Sequence, residues 1–351
     1  MPVSRDDVIE AYATFLNRAP ESEAVIAEHM ATHADAEVLR LAFEQSEEGR
    51  KGQNARLLER ASQPTPWRAP LFLLEPPASA QVPWVFAPPS LADPVSQLCT
   101  EAQLIEPLYE ELCAALGISA ARHRKAWEFA WIAAVLRKAG LLQPGRRALG
   151  FGVGGEPMPA YLAGRGVEVL ATDAPIERIA GQGWDSTGQH AASLDPLRRP
   201  DLLAEESFDR LVRFRPVDMN AIPDELRDFD FCWSSCAFEH LGSIEHGLRF
   251  VEASLDTLRP GGLAVHTTEF NLNSNDATVE TAGLSIFRKW DFERLLDRLA
   301  RAGHAPWPLN LHPGTGPMDQ YIDTPPYSLP HLKLMVAGEV TTSIGIVVRK
   351  G

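Results

Sequence analysis

The chain has 351 residues, 45% of them hydrophobic and 23% charged, and a formal net charge of −14. This composition is typical of a folded globular protein, and the length suffices for one large α/β domain and a smaller one. The acidic balance argues against a broad phosphate-binding surface, so no nucleic-acid partner is expected. We find no apolar signal core at the start and no stretch with the ~20 apolar residues of a transmembrane segment, which favours a cytoplasmic location.

Residues 1–60 are predicted to form a small helical bundle. Ser4 suits the N-cap of a first helix, and apolar residues then recur at helical spacing. Two further amphipathic segments cover residues 21–33 and 36–45. The bundle contains, in order, Tyr12, Leu16, Asn17-Arg18, Pro20 and Phe43. This pattern resembles the phycobilisome-linker-like helical domains of bacterial proteins, which implies a docking or packing module.

A proline-rich stretch over residues 63–94 marks the clearest boundary in the chain. Its prolines exclude a continuous helix or a central strand. The interleaved side chains of Trp67, Phe72 and Trp84 favour burial over a free linker. We therefore expect an extended arm, residues 61–95, that lies against a folded domain.

The remainder, residues 96–351, is predicted to be one α/β domain with leading helices. Strand and helix patterns alternate from Arg146 onward, as in a parallel sheet. The expected strands are residues 147–151, 167–172, 211–216, 230–234 and 263–268, with a final antiparallel pair at 332–336 and 342–348. The expected helices are residues 93–116, 122–139, 244–258 and 290–302, with a further helix that ends at Ala163. This makes a Rossmann-like sheet of seven strands that ends in an antiparallel hairpin.

A glycine turn, Gly150-Phe151-Gly152-Val153-Gly154-Gly155, follows the first of these strands. The backbone N–H groups of such a turn can approach a ligand closely, and an acid about twenty residues further on can bind a ribose. Asp173, at the end of the second strand, occupies that place. On these two features alone, NAD is nearly as good a candidate as any other nucleotide-like cofactor, so NAD-dependent chemistry stays open.

Three further features favour a different cofactor. Glu156-Pro157 follows the turn where a dinucleotide site has a third glycine. Asp218-Met219 follows the third strand, and Pro260-Gly261-Gly262 precedes the fifth. Together with the strand count, they resemble the class I S-adenosylmethionine-dependent methyltransferases over about residues 120–351. The resemblance implies cofactor contacts from Gly150, Phe151, Gly152, Gly154, Asp173, Ala174, Asp218, Met219 and Ser234.

Three segments carry a narrower pattern, namely residues 150–157, Trp184 with residues 187–190, and residues 266–271. They resemble bacterial methyltransferases associated with the biosynthesis of surface glycans and polysaccharides. The resemblance implies O-methyl transfer to a hydroxyl of a sugar or glycan intermediate, and a bundle that recruits other enzymes of glycan biosynthesis. The acid that usually precedes the family's turn is missing from Ala148-Leu149-Gly150, so backbone carbonyls near the turn are expected to bind the methionine amine.

The segment after the fourth strand is predicted to carry the chemistry, because ligands bind beyond the carboxyl ends of parallel strands. A sugar hydroxyl needs a base or a metal to draw off its proton. His240 is the predicted general base, with Glu239 and His266 as further catalytic candidates. The alternative is a histidine that only orients a loop.

No metal site is predicted, and the four cysteines lack the spacing of a zinc site. Glu239, His240 and His266 remain an alternative set of ligands for a divalent ion. Cys236 stands where a metal-binding pair of this kind has another acid, which weakens that alternative.

Polar loops after the second and fifth strands suit an oxygen-rich acceptor. The predicted substrate-binding residues are Trp184, Gln189, His190, Glu269, Asn271 and Tyr321. An aromatic face can stack on a sugar ring and amides can pair with hydroxyls, whereas the alternative is ordinary solvated loop chemistry. Two other functions stay open, namely methylation of a non-sugar metabolite and a cofactor-binding scaffold recruited through the bundle.

Overall fold

The computed structural model of the chain describes residues 2–16, 18–51, 66–175 and 190–351. These residues fall into two compact units, within Met1–Pro66 and within Trp67–Gly351. Two predicted substrate contacts, Trp184 and Gln189, lie outside the described residues. Within the described ranges, the model has no helix with the length and apolarity needed to cross a bilayer.

The first unit contains the predicted N-terminal helices, α1 (Arg5–Ala11), α2 (Glu23–Thr32) and α3 (Ala36–Gln45), with a π-helical turn at Tyr12–Leu16. Ser4 caps α1, because its hydroxyl accepts a hydrogen bond from the backbone N–H of Asp7. The helices enclose a small apolar core of Val3, Val8, Ala11, Tyr12, Phe15, Ile26, Leu39 and Phe43.

The second unit is built on one mixed sheet, with eleven strands in the part of the chain that the structure describes. The strands are β1 (Ser96–Leu98), β2 (Arg147–Phe151), β3 (Glu168–Asp173), β4 (Val212–Pro216), β5 (Phe229–Ser235), β6 (Leu258–Asn271), β7 (Ala305–Pro306), β8 (Leu309–Asn310), β9 (Ile322–Asp323), β10 (Lys333–Val336) and β11 (Glu339–Arg349). The helices are α4 (Glu101–Leu104), α5 (Pro107–Ala115), α6 (Arg124–Lys138), α7 (Met158–Ala163), α8 (Glu205–Leu211), α9 (Ile244–Asp256), α10 (Lys289–Arg301) and α11 (Pro317–Gln320).

The strand order confirms the predicted Rossmann-like class. The order is β4-β3-β2-β5-β6-β11-β1-β8, the first five strands run parallel, and β11 lies antiparallel to β6. The order therefore reverses between β2 and β5, which is the point where open α/β sheets bind their ligands. The predicted hairpin of β10 and β11 is present and turns at Ala337-Gly338, where both residues have positive φ.

The sheet differs from the prediction at its edge. The prediction of seven strands is too low, because β1, β7, β8 and β9 were not expected. Each has only two or three residues, too few to show an alternating pattern. The helix predicted over residues 93–116 is wrong at its start, where Ser96–Leu98 pairs with β11 and β8.

The proline-rich residues from Trp67 onward lie against this sheet and its helices. The backbone N–H of Val85 donates to the carbonyl of Leu309 at 3.1 Å. The ammonium group of Lys289 donates to the carbonyls of Phe72 and Glu75, each at 2.7 Å. These bonds explain how a segment whose longest regular element is the short 3-10 helix Leu71–Leu74 stays on the surface of the α/β unit.

Candidate functional site

A cavity of about 840 Å³ opens at the carboxyl ends of β2, β3, β4 and β5, where the strand order reverses. Its lining brings together segments that are far apart in the chain. They are residues 152–157, Asp173 and Ala174, residues 218–220, Ser235, Cys236 and Ala237, residues 239–242, and Glu269. Most of the residues predicted to contact a cofactor therefore meet around one space.

The glycine turn forms part of this cavity wall. Gly152 and Gly154 have φ values of +59° and +50°, which favour glycine. A Cβ added at Gly152 would lie 2.7 Å from Cβ of Ala237 and 3.4 Å from Sδ of Met219. Gly152 is therefore packed so closely against Ala237 that no side chain fits at this point of the cavity wall.

Asp173 ties the end of β3 to this turn. Its Oδ2 accepts hydrogen bonds from the backbone N–H groups of Gly154 and Ala191, each at 2.9 Å, and its Oδ1 accepts one from Ala174 at 2.8 Å. A carboxylate has about four acceptor positions, so capacity remains for a ligand hydroxyl. His190 lies at this same end, because its Nε2 bonds to the carbonyl of Ala174 at 2.8 Å.

Asp218 and Met219 stand next to each other on the loop after β4. Asp218 accepts a hydrogen bond from the backbone N–H of Asn220 at 2.9 Å, and Asn220 donates from its side chain to the carbonyl of Leu241 at 3.2 Å. Met219 is buried and approaches Gly152. The pair offers an acceptor beside an apolar surface, which suits a flat heterocycle with an amino group.

Two predicted cofactor contacts, Gly150 and Phe151, do not line the cavity. A Cβ at Gly150 would lie 2.4 Å from the ring of Trp233, so this glycine permits close packing of β2 on the tryptophan. The ring of Phe151 is fully buried and meets Phe250 edge-on, with 5.1 Å between centroids. Both residues therefore belong to the core of the sheet.

His266 and Ser234 form a buried pair instead of a catalytic or cofactor site. Nδ1 of His266 lies 2.8 Å from Oγ of Ser234, and Nε2 lies 3.0 Å from Oγ of Ser254. The histidine is 1% exposed, and burial lowers its pKa to about 3. The predicted catalytic role of His266 and the predicted cofactor contact of Ser234 are therefore wrong.

His240 lines the cavity in the tautomer that a general base needs. Its Nδ1 lies 2.7 Å from the carbonyl oxygen of Gly283. A carbonyl only accepts, so Nδ1 carries the proton and the lone pair of a neutral ring sits on Nε2. Glu239 beside it is buried, and its Oε2 accepts a hydrogen bond from Thr268 at 2.8 Å.

A buried ionic network, which the sequence analysis missed, borders the same cavity. Arg124 on α6 forms an ion pair with Glu269 on β6. Glu128, one turn further along α6, accepts hydrogen bonds from Arg124, Lys125, Ser235, Cys236, Thr267 and Ser343. Burial opposes ionisation of Glu128, but Lys125 and Arg124 outweigh it, and its pKa falls to about 2. The network fixes α6 over the ends of β5, β6 and β11.

Only some of the predicted substrate-binding residues line the cavity. Glu269 lines the cavity, and burial raises the pKa of its carboxyl although Arg124 opposes this shift. Asn271 does not line the cavity. Its Oδ1 instead accepts hydrogen bonds from the backbone N–H groups of Asn273 and Ser274, at 2.8 and 3.0 Å. Tyr321 is also absent from the lining.

The alternative metal site does not fit this arrangement. Among the described residues there is no group of three His, Cys, Asp or Glu side chains placed to hold a metal ion. His266, one of the three candidate ligands, is bonded through both ring nitrogens to serines in the core.

Lys125 and Glu156 are further cavity residues that the sequence analysis missed. One signal was available for α6, because Arg124, Lys125 and Glu128 stand three and four positions apart and so share a helix face. The signal for Glu156 was its position, since it is a charged residue directly after a turn that approaches a ligand.

No family model and no curated protein matches the chain. Several solved structures resemble it over part of its length. Magnesium protoporphyrin IX methyltransferase from Synechocystis PCC 6803, solved with bound SAH, is 13% identical over 63% of this chain and 80% of its own, with a TM-score of 0.37. A SAM-dependent methyltransferase from Aquifex aeolicus is 17% identical over 62% and 89%, with a TM-score of 0.33. The [4+2]-cyclase SpnF is 18% identical over 61% and 74%, with a TM-score of 0.35. Values this low assign no activity to the chain.

Proposed function

We propose that the chain is an S-adenosylmethionine-dependent methyltransferase that acts on a hydroxyl of a sugar or glycan intermediate. The observation that carries this proposal is the cavity at the reversal of strand order. The glycine turn, Asp173, Asp218-Met219 and His240 all face that one space. A nucleotide-like cofactor and an acceptor can therefore meet within it.

The lining residues fit the parts of the cofactor. The backbone of Gly152 lines the cavity without a side chain, and Asp173 has acceptor capacity for a ribose hydroxyl. Asp218 can accept from the adenine amino group, while Met219 covers the ring. When bound, S-adenosylmethionine supplies a methyl group that its sulfonium already activates.

His240 performs the proton transfer in this proposal. Its Nε2 would take the proton of the acceptor hydroxyl as that oxygen bonded to the methyl carbon and the bond from this carbon to the sulfonium sulfur broke, which would leave a neutral thioether. The carbonyl of Gly283 holds the Nδ1–H and stabilises the positive charge that the ring gains. Alignment of the two reacting groups supplies much of the remaining acceleration.

The polar groups at the same end of the lining support a hydroxylated acceptor. Glu239 and Glu269 can accept from hydroxyls next to the reacting one, and the Asn220 amide can donate. Ile118, Phe129 and Leu284 line the cavity too, and these apolar side chains favour a non-sugar metabolite as the second candidate.

Transfer of a labelled methyl group tests the proposal. We expect the label on sugar hydroxyls when a panel of sugars, nucleotide sugars, phenols and amines is supplied. His240→Ala should lower kcat by roughly 100-fold or more, the usual contribution of a general base. His246→Ala is the matched control, since that exposed histidine does not line the cavity.

Exclusive labelling of amines or phenols would overturn the sugar assignment. Full turnover by His240→Ala would overturn its role as the base. Cofactor binding without transfer to any acceptor would favour the scaffold function, in which the N-terminal helices recruit partner enzymes.

A further inference from the structure

S-adenosylmethionine ends in an amino acid, with an ammonium and a carboxylate that both need partners. The strand leading into the glycine turn offers none, because Ala148, Leu149 and Phe151 are buried and apolar. Two charged side chains of the lining, Lys125 and Glu156, have no part in the proposed function so far. In their ionised forms they have the opposite charges that such an end requires.

Glu156 is a buried carboxyl group at the cavity wall. It is 7% exposed, and its Oε1 accepts a hydrogen bond from Nε1 of Trp233 at 2.5 Å. Within the described residues no hydrogen bond reaches its Oε2. Burial raises its pKa to about 8, against the opposing effects of Trp233 and Lys125. The carboxyl is therefore largely protonated at pH 7, and the ammonium of a ligand beside it would favour its ionised form.

Lys125 presents its ammonium group to the cavity from the first turn of α6. Its Nζ donates to Oε2 of Glu128 at 3.0 Å, and the side chain remains 40% exposed. An ammonium has three donors, so two remain for a ligand. The N-terminal turn of the helix adds partial positive charge at the same place.

We propose that Lys125 and Glu156 together bind the amino-acid end of the cofactor. Glu156 accepts a hydrogen bond from the ammonium, and Lys125 donates to the carboxylate. The pair replaces the acid that the strand before the turn does not supply. This inference rests on the proposed function, because the same cavity must hold the cofactor.

Binding of two related ligands to the full chain tests the assignment. S-adenosylhomocysteine has the amino-acid end, whereas 5′-methylthioadenosine keeps the nucleoside and the sulfur without it. Glu156→Gln and Lys125→Met should each lower the affinity for S-adenosylhomocysteine, measured by calorimetry, by about tenfold or more. This is the effect expected when one charge-assisted hydrogen bond is lost. Both variants should bind 5′-methylthioadenosine as tightly as the unmodified chain does.

A third ligand separates the two residues. Decarboxylated S-adenosylhomocysteine keeps the ammonium and lacks the carboxylate. Glu156→Gln should therefore weaken the binding of this ligand, and Lys125→Met should not. The matched controls are Glu111→Gln and Arg137→Met, which remove one partner each of an exposed ion pair. Neither control should change the affinity for any of the three ligands.

The outcomes distinguish this inference from the proposed function. If the unmodified chain binds neither S-adenosylhomocysteine nor 5′-methylthioadenosine, the proposed function fails. If it binds both equally tightly, the proposed function stands and the role of Lys125 and Glu156 is wrong. Equal weakening of both ligands by the variants, or no weakening of either, would also overturn that role.

Discussion

Gly152 requires a glycine for two separate reasons, the sign of its φ and the nearness of Ala237. We predict that Gly152→Ala weakens cofactor binding by about tenfold or more, since a shifted turn loses its close approach to the ligand. Gly303→Ala is the control, because that residue also has positive φ, +92°, but faces open space. Titration with S-adenosylhomocysteine should separate the two variants, and equal binding by both would contradict the role of the turn.

His266 makes folding stability depend on pH. Its folded-state pKa of about 3 lies below the ordinary value of 6.5, so the unfolded chain binds the proton first as the pH falls. The stability it contributes is complete above about pH 6.5 and is lost progressively toward pH 3. Between pH 6 and 4 the unmodified chain should lose about 1.4 kcal/mol per pH unit more than His266→Gln, which cannot take a proton.

Denaturant unfolding at pH 6, 5 and 4 measures this difference. His123, whose pKa burial lowers to about 4, remains in both proteins and contributes equally to their slopes. Parallel stability curves for the two proteins would show that His266 is not held neutral in the core.

Individual site residues were predictable where a motif placed them at a strand end. Asp173, Asp218 and Met219 follow β3 and β4 and do face the cavity. His266 was mistaken for a site residue because β6 is buried along both faces, so its sequence shows no alternation that separates core from cavity. The serines that hold the histidine come from β5 and α9, which no local pattern indicates.

The buried carboxylate of Glu128 holds helix α6 on the sheet, beside the ion pair of Arg124 with Glu269. Glu128 satisfies Arg124 and Lys125 together with hydroxyl and thiol groups from three strands. Glu128→Gln leaves Lys125 without its counter-charge and Arg124 with Glu269 alone, and we predict a loss of about 3 kcal/mol or more in the free energy of unfolding. Urea denaturation at neutral pH measures it.

The matched control for this element is Glu111→Gln. It breaks the exposed ion pair with Arg137, and such pairs contribute about 1 kcal/mol or less. If the two substitutions destabilise the chain equally, Glu128 is not the anchor of the helix.

Elements with a long periodic pattern were predictable, and short ones were not. The strand predicted over residues 147–151 has the same bounds in the structure, and α10 differs by one residue at each end. In contrast, β1 was predicted as part of a helix, because three residues show no period. Its strand conformation comes from pairing with β8 and β11, which lie more than 200 residues further along the chain.

The composition of the chain indicated a folded globular protein but not the electrostatics of the site. The chain carries a net charge of −14, yet Arg124 and Lys125 stand side by side on the cavity wall. Net charge is a sum over the surface, whereas a site depends on which residues the fold brings together. Only the topology places α6 beside the ends of β5 and β6.

Calorimetric titration of the full chain with S-adenosylmethionine and, separately, with NAD distinguishes the proposed cofactor from its alternative. The geometry of the glycine turn, Asp173 and Asp218-Met219 predicts saturable binding of S-adenosylmethionine at one site per chain and no binding of NAD. Asp173→Ala should weaken that binding by about tenfold or more, since it removes both the ribose acceptor and the tie to the turn. Binding of NAD in place of S-adenosylmethionine, or no binding of S-adenosylmethionine by the folded chain, would show that the proposed cofactor is wrong.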